Sequence, residues 1–145
     1  MSAEALPDFF AAVPAIVVAD PLAALLGAAA GGRLEYRYAD AVRLAGHSCP
    51  TVASAYWLGV RAIRALYGEA MPQRGDIAVD LREPFDAGTT GVVASVLGLL
   101  TGAAGEGGFA GLVALLGQPL VDDILGERGA AQGQLGRAPE GAARV

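Results

Sequence analysis

The chain contains no lysine and no asparagine, one cysteine and one histidine. Each absence removes a class of chemistry. Without lysine there is no Schiff-base amine and no phosphate-loop lysine. Without asparagine, a Cys-His-Asn triad lacks its third member. A single cysteine excludes an internal disulfide, and nothing points to an oxidising compartment. Charge is also scarce, at 17% of residues, with a net charge of −5. That balance argues against a nucleic-acid platform, which needs clustered positive charge. The hydrophobic share is 54% of 145 residues, high for a soluble domain and enough for one real core.

An apolar chain calls for a membrane check. Residues 87–105 carry no charge, a run just long enough to span a bilayer. Its five glycines and acidic flanks, Asp86 and Glu106, fit a buried helix better, and no membrane span is expected. Glu4 lies early and no basic run precedes it, so no cleaved signal is expected and a cytoplasmic location is. Few charges and many small residues also suit a protomer that covers part of its surface with a partner.

Local patterns organise the rest. A short helix is expected after Pro7, then a strand-like run at Ala15–Ala19. Asp20-Pro21 reads as a helix start, an acidic cap before proline, with Leu22, Leu25 and Leu26 as its buried stripe. Residues 33–38 alternate Leu34, Tyr36 and Tyr38 with charged neighbours, a half-exposed strand pattern. Asp40 is placed to cap a single helical turn through Val42 and Leu44. A long helix follows Pro50, with Val52, Tyr56, Gly59 or Val60, Ile63, Leu66 and Tyr67 on one face. Thr51 or Ser48 is expected to cap its start and Gly68 to end it. Residues 76–83 alternate cleanly and predict a strand. Thr90–Leu100 predicts a helix stopped by Gly102, and Phe109–Leu116 is a second apolar run. From Gly126 the composition shifts to Gly, Ala, Gln and Arg. The expected organisation is one α+β domain over residues 1–125, a small antiparallel sheet packed with helices, followed by a tail over 126–145 that is poorly ordered or packs late.

The rare residues fall together. His47 and Cys49 lie two positions apart in Gly46-His47-Ser48-Cys49-Pro50. Imidazole and thiolate are strong ligands for zinc and related cations. In extended backbone, residues i and i+2 point the same way. Cys49 sits where the long helix begins, and the positive helix end there favours a thiolate. His47 either ligates the same ion or accepts the thiol proton. Taken singly, such a cysteine reads as a small buried hydrophobe and such a histidine as a core residue; the pairing favours function. Asp40, Glu83, Asp86 and Glu106 are further carboxylates whose simpler role is a cap or solvated charge. Tyr56 and Trp57 stand close enough to wall a pocket, although Tyr56 lies on the apolar stripe. The glycine-rich turn Gly105–Gly108 lacks the strand and lysine of a phosphate loop.

Ala45-Gly46-His47-Ser48-Cys49-Pro50 and its following helix, with the later apolar helix running into Thr101-Gly102 and a glycine-rich turn, resemble the FmdE family, named for a component of formylmethanofuran dehydrogenase. The likeness covers roughly residues 21–111. It implies an α+β core that assembles as a homodimer, with His47 and Cys49 as a metal or active-site pair. The cofactor it implies is a divalent transition metal, zinc or iron. Some members carry a zinc-finger domain after the core, whose cysteines this chain lacks. Where the family often has a histidine, a glycine, a cysteine and an acidic residue, this chain has Ala45, Thr51, Ala103 and Ser95. If those groups complete the site elsewhere, the metal shell here is thinner. The leading expectation is therefore a soluble metal-binding protein with a His-x-Cys site and a redox-associated or accessory role. The alternatives are a thiol-dependent enzyme, with Cys49 as nucleophile and His47 as base, and a non-catalytic assembly component of a larger redox complex.

Overall fold

The computed structural model describes residues 5–103. The expected run at Phe109–Leu116, the turn at Gly105–Gly108 and the tail lie outside the described residues. A 3-10 turn at Asp8–Ala12 leads into strand β1, Ile16–Ala19. Helix α1, Pro21–Leu25, and a second 3-10 turn at Ala30–Gly32 connect it to strand β2, Arg33–Tyr36. Helices α2, Tyr38–Ala45, α3, Pro50–Tyr67, and α4, Thr90–Thr101, complete the order. The two strands pair antiparallel, with Ile16 opposite Tyr36 and Val18 opposite Leu34. Alternation puts those four side chains on one face, and that face meets the helices. The architecture is a small α+β fold, as the patterns imply.

Helix α3 is the centre of the core. Val52, Ala55, Tyr56, Gly59, Val60 and Ile63 are buried, a spacing of threes and fours that makes one stripe. Val18, Ala41, Val96 and Leu100 pack into the same cluster. The phenol of Tyr56 is fully buried and donates to two carbonyls, Pro14 at 2.8 Å and Tyr36 at 3.1 Å. Tyr56 is therefore a core residue that ties β2 to the segment before β1. Leu66, expected on the stripe, is instead exposed, while its neighbour Tyr67 packs against the core.

Three other expectations change. Asp20 does cap α1, accepting from the Leu22 and Ala23 amides at 2.9 and 3.1 Å. The helix nevertheless ends after five residues, where Gly27 takes a left-handed φ of 67°. One turn is too short to carry an apolar face, so Leu25 and Leu26 stay exposed. The turn predicted near Asp40 is a full helix, α2. Asp40 lies in its first turn and accepts from the Arg37 amide at 2.8 Å. Residues 76–83 form no ladder. The chain touches β1 only through a parallel bridge between Ala19 and Gln73. It then turns at Gly75, whose amide bonds to Thr101 at the end of α4. A period-two pattern makes a strand only where an edge receives it, and here the chain leaves the edge first. No described helix is long and apolar enough to cross a membrane.

Candidate functional site

The site is built on the junction between α2 and α3. Gly46 ends α2 in the left-handed region, at φ 74°, a conformation that glycine adopts without steric penalty. That reversal carries His47, Ser48 and Cys49 across the start of α3. Cys49 is the N-cap in extended backbone and Pro50 occupies the first helical position, where a missing amide hydrogen costs nothing. Neither Ser48 nor Thr51 is the cap. The Ser48 hydroxyl instead bonds the Tyr38 hydroxyl at 2.7 Å, pinning the loop to the first residue of α2.

His47 is exposed and Cys49 is partly covered. The His47 Nδ1 donates to the Ala45 carbonyl at 2.9 Å. A carbonyl only accepts, so the proton is on Nδ1 and the neutral ring keeps its free lone pair on Nε2. The Ala45 carbonyl and, after it, the thiol beside the ring raise the imidazole pKa above its ordinary value. The thiol is shifted the other way. The Val52 amide is the main cause; burial, next in size, opposes it, and His47 and the Thr51 amide add smaller downward effects. The sulfur closes no full capping hydrogen bond, yet the amides direct their positive ends at it, as a helix start does for an anion. The two side chains therefore share one locale, and each shifts the other toward its charged form.

Cys49 opens on a cleft of about 500 Å³. Its walls are apolar: Phe9 and Val13 from the N-terminal segment, and Pro50, Ala53 and Trp57 from α3. Cys49 and the Tyr38–Ser48 hydroxyl pair supply its polar lining. Trp57 fulfils the expectation of a pocket wall. Phe9, Val13 and Tyr38 are not legible as site residues, because they come from distant segments. The edge-to-face chain Phe10–Tyr38–Tyr56 ties the N-terminal segment to this place through buried Phe10.

The remaining carboxylates do not join the pair. Asp40 is engaged with the Arg37 amide and with Arg43 at 2.8 Å, while Glu83 and Asp86 are exposed in the loop before α4. Glu106 lies outside the described residues. Ser95 donates back to Gly91 within α4. Among the described residues no group of three or more His, Cys, Asp or Glu side chains stands ready for a metal ion. One copy of the described chain thus offers two donors, Nε2 and Sγ. Comparison with known proteins gives no match to any protein family, curated protein or solved structure.

Proposed function

We propose that this is a metal-binding protein of the FmdE type, in which His47 and Cys49 hold a divalent transition metal, zinc or iron. The observation that supports it is the tied imidazole: Nδ1 is committed to the Ala45 carbonyl, which leaves Nε2 free beside a thiol biased toward thiolate. Metal-binding histidines characteristically anchor their second nitrogen in this way. A four-coordinate ion needs two more donors. Water or the same pair from a second copy can supply them, so a homodimer belongs to the proposal. When bound, the metal supplies Lewis acidity at the mouth of the cleft. The residues do the positioning: Gly46 and Pro50 fix the loop, Ala45 orients the ring, and the Val52 amide holds charge on sulfur. A cytoplasmic, accessory role beside a larger redox complex fits the scarcity of charge. Elemental analysis of untagged protein tests this directly. Wild type should retain zinc or iron that the His47→Ala/Cys49→Ser double variant lacks; equal content in both ends the reading.

The cleft favours a second reading, in which Cys49 is a nucleophile and His47 its proton partner. The sulfur lines the cavity and is thus placed to meet a bound molecule. Metal-free protein should then be alkylated at neutral pH faster than an ordinary thiol, and a rate equal to that of free cysteine counts against it.

A further inference from the structure

The cleft beside Cys49 has its own chemistry. Among the described residues, no side chain lining it is acidic or basic apart from the thiol itself. A charged ligand entering this space loses hydration against walls that carry no charged side chain of their own. The cavity, about 500 Å³, falls within the range of small-molecule sites. Two of its walls are large rings left in water: Phe9 is 65% exposed and Trp57 42%. Exposed apolar rings that line a cleft gain from a flat ring packed against them.

We propose that this cleft binds the uncharged aromatic body of a small molecule and presents its head group to Cys49 Sγ. The inference deepens the reading above and rests on Sγ being the working atom of the site. Trp57 is the only tryptophan of the chain, so its fluorescence reports occupancy without a label.

The test uses full-length protein stripped of metal by a chelator. Cys49, the sole cysteine, is alkylated with N-phenylmaleimide and with N-methylmaleimide, and the rate ratio is divided by that for N-acetylcysteine. The expected excess for the phenyl reagent is about tenfold, which is the effect of burying part of one ring. Ala53→Phe, which fills the cleft, and Phe9→Ser, which opens an exposed wall, should both return the ratio to the free-thiol value. Iodoacetamide rates on both variants separate a loss of the ring preference from a general loss of thiol reactivity. Phe9→Ser keeps the test valid if Ala53→Phe misfolds, since Phe9 is largely exposed. Benzamide should perturb Trp57 emission saturably and benzoate should not.

A ratio equal to that of the free thiol overturns the proposal, as does equal binding of benzoate. A preference that fades as protein concentration rises also overturns it, because a second copy then covers the cleft. Metal content is measured on the same preparation before stripping. Protein that carries metal but lacks the aromatic preference loses this inference and keeps the metal centre. Protein that shows the preference without metal supports the cleft and ends the metal reading.

Discussion

Gly59 of α3 faces Leu100 of α4 so closely that a Cβ on the glycine would lie 2.6 Å from Leu100 Cδ1 and 3.2 Å from Leu97 Cδ2. The two helices meet almost backbone to side chain at this point. Leu100 is fully buried, so it cannot swing into solvent to make room.

Gly59→Val should therefore destabilise the fold despite removing a helical glycine. Overpacking of a filled core costs about 1–3 kcal/mol, more than the fraction of a kcal/mol that better helix propensity returns. Urea denaturation should show a lower midpoint than wild type. An unchanged midpoint would mean that α4 is not seated against α3 as described.

Tyr56→Phe removes one buried donor and leaves the Pro14 and Tyr36 carbonyls without it. The expected loss is about 1–3 kcal/mol. Burial also pushes the Tyr56 phenol up to about 12. The unfolded chain gives up this proton near pH 10 and the folded one only near 12. Stability from this group is therefore complete below pH 10 and is lost as pH rises toward 12. Tyr56→Phe should flatten that alkaline decline in thermal melts across the range.

Asp20 serves two partners. It caps α1 through the Leu22 and Ala23 amides and pairs with Arg74 at 3.0 Å. Arg74 in turn donates to the Leu99 carbonyl of α4 at 3.4 Å. Asp20→Ala should cost about 1–2 kcal/mol, while Asp20→Asn, which can still cap, should cost less. Equal losses in the two variants would place the whole effect on the ion pair.

For metal-free protein, the rate of Cys49 alkylation should rise with pH around a midpoint below that of ordinary cysteine. The depressed thiol pKa means that more thiolate is present at any given pH below it. His47→Ala should move the midpoint up only in part, because the Val52 amide is the larger cause. A return all the way to the ordinary value would assign the whole shift to the imidazole. Metal uptake has its own pH dependence: the ion must displace the proton of an imidazole whose pKa is raised, so binding should strengthen as pH climbs through that value, with proton release.

The helices were legible wherever their patterns were local. Asp20-Pro21, the stripe from Val52 to Ile63 and the stop at Gly102 each declare themselves within a few residues. The failures share one cause. Residues 76–83 alternate like a strand, but the chain turns away from the β1 edge at Gly75 before they can pair, and Leu25 and Leu26 lie at the end of a helix that Gly27 cuts short. Whether a pattern is used depends on what stands opposite it, and sequence spacing carries no such information. The site divides in the same way. His47 and Cys49 are close in sequence and rare, so their pairing could be read directly. Tyr38, which anchors the loop through Ser48, and Phe9 and Val13, which wall the cleft, arrive by packing from remote segments.

Cys49 also caps the most deeply anchored element of the fold. Val52, Tyr56 and Val60, one to three turns further along α3, are fully enclosed. A reactive group on a floppy surface loop can lose its geometry while the rest of the protein endures. Here the sulfur inherits the rigidity of its helix, so heat should abolish its special reactivity and the global fold together, in one cooperative event rather than two.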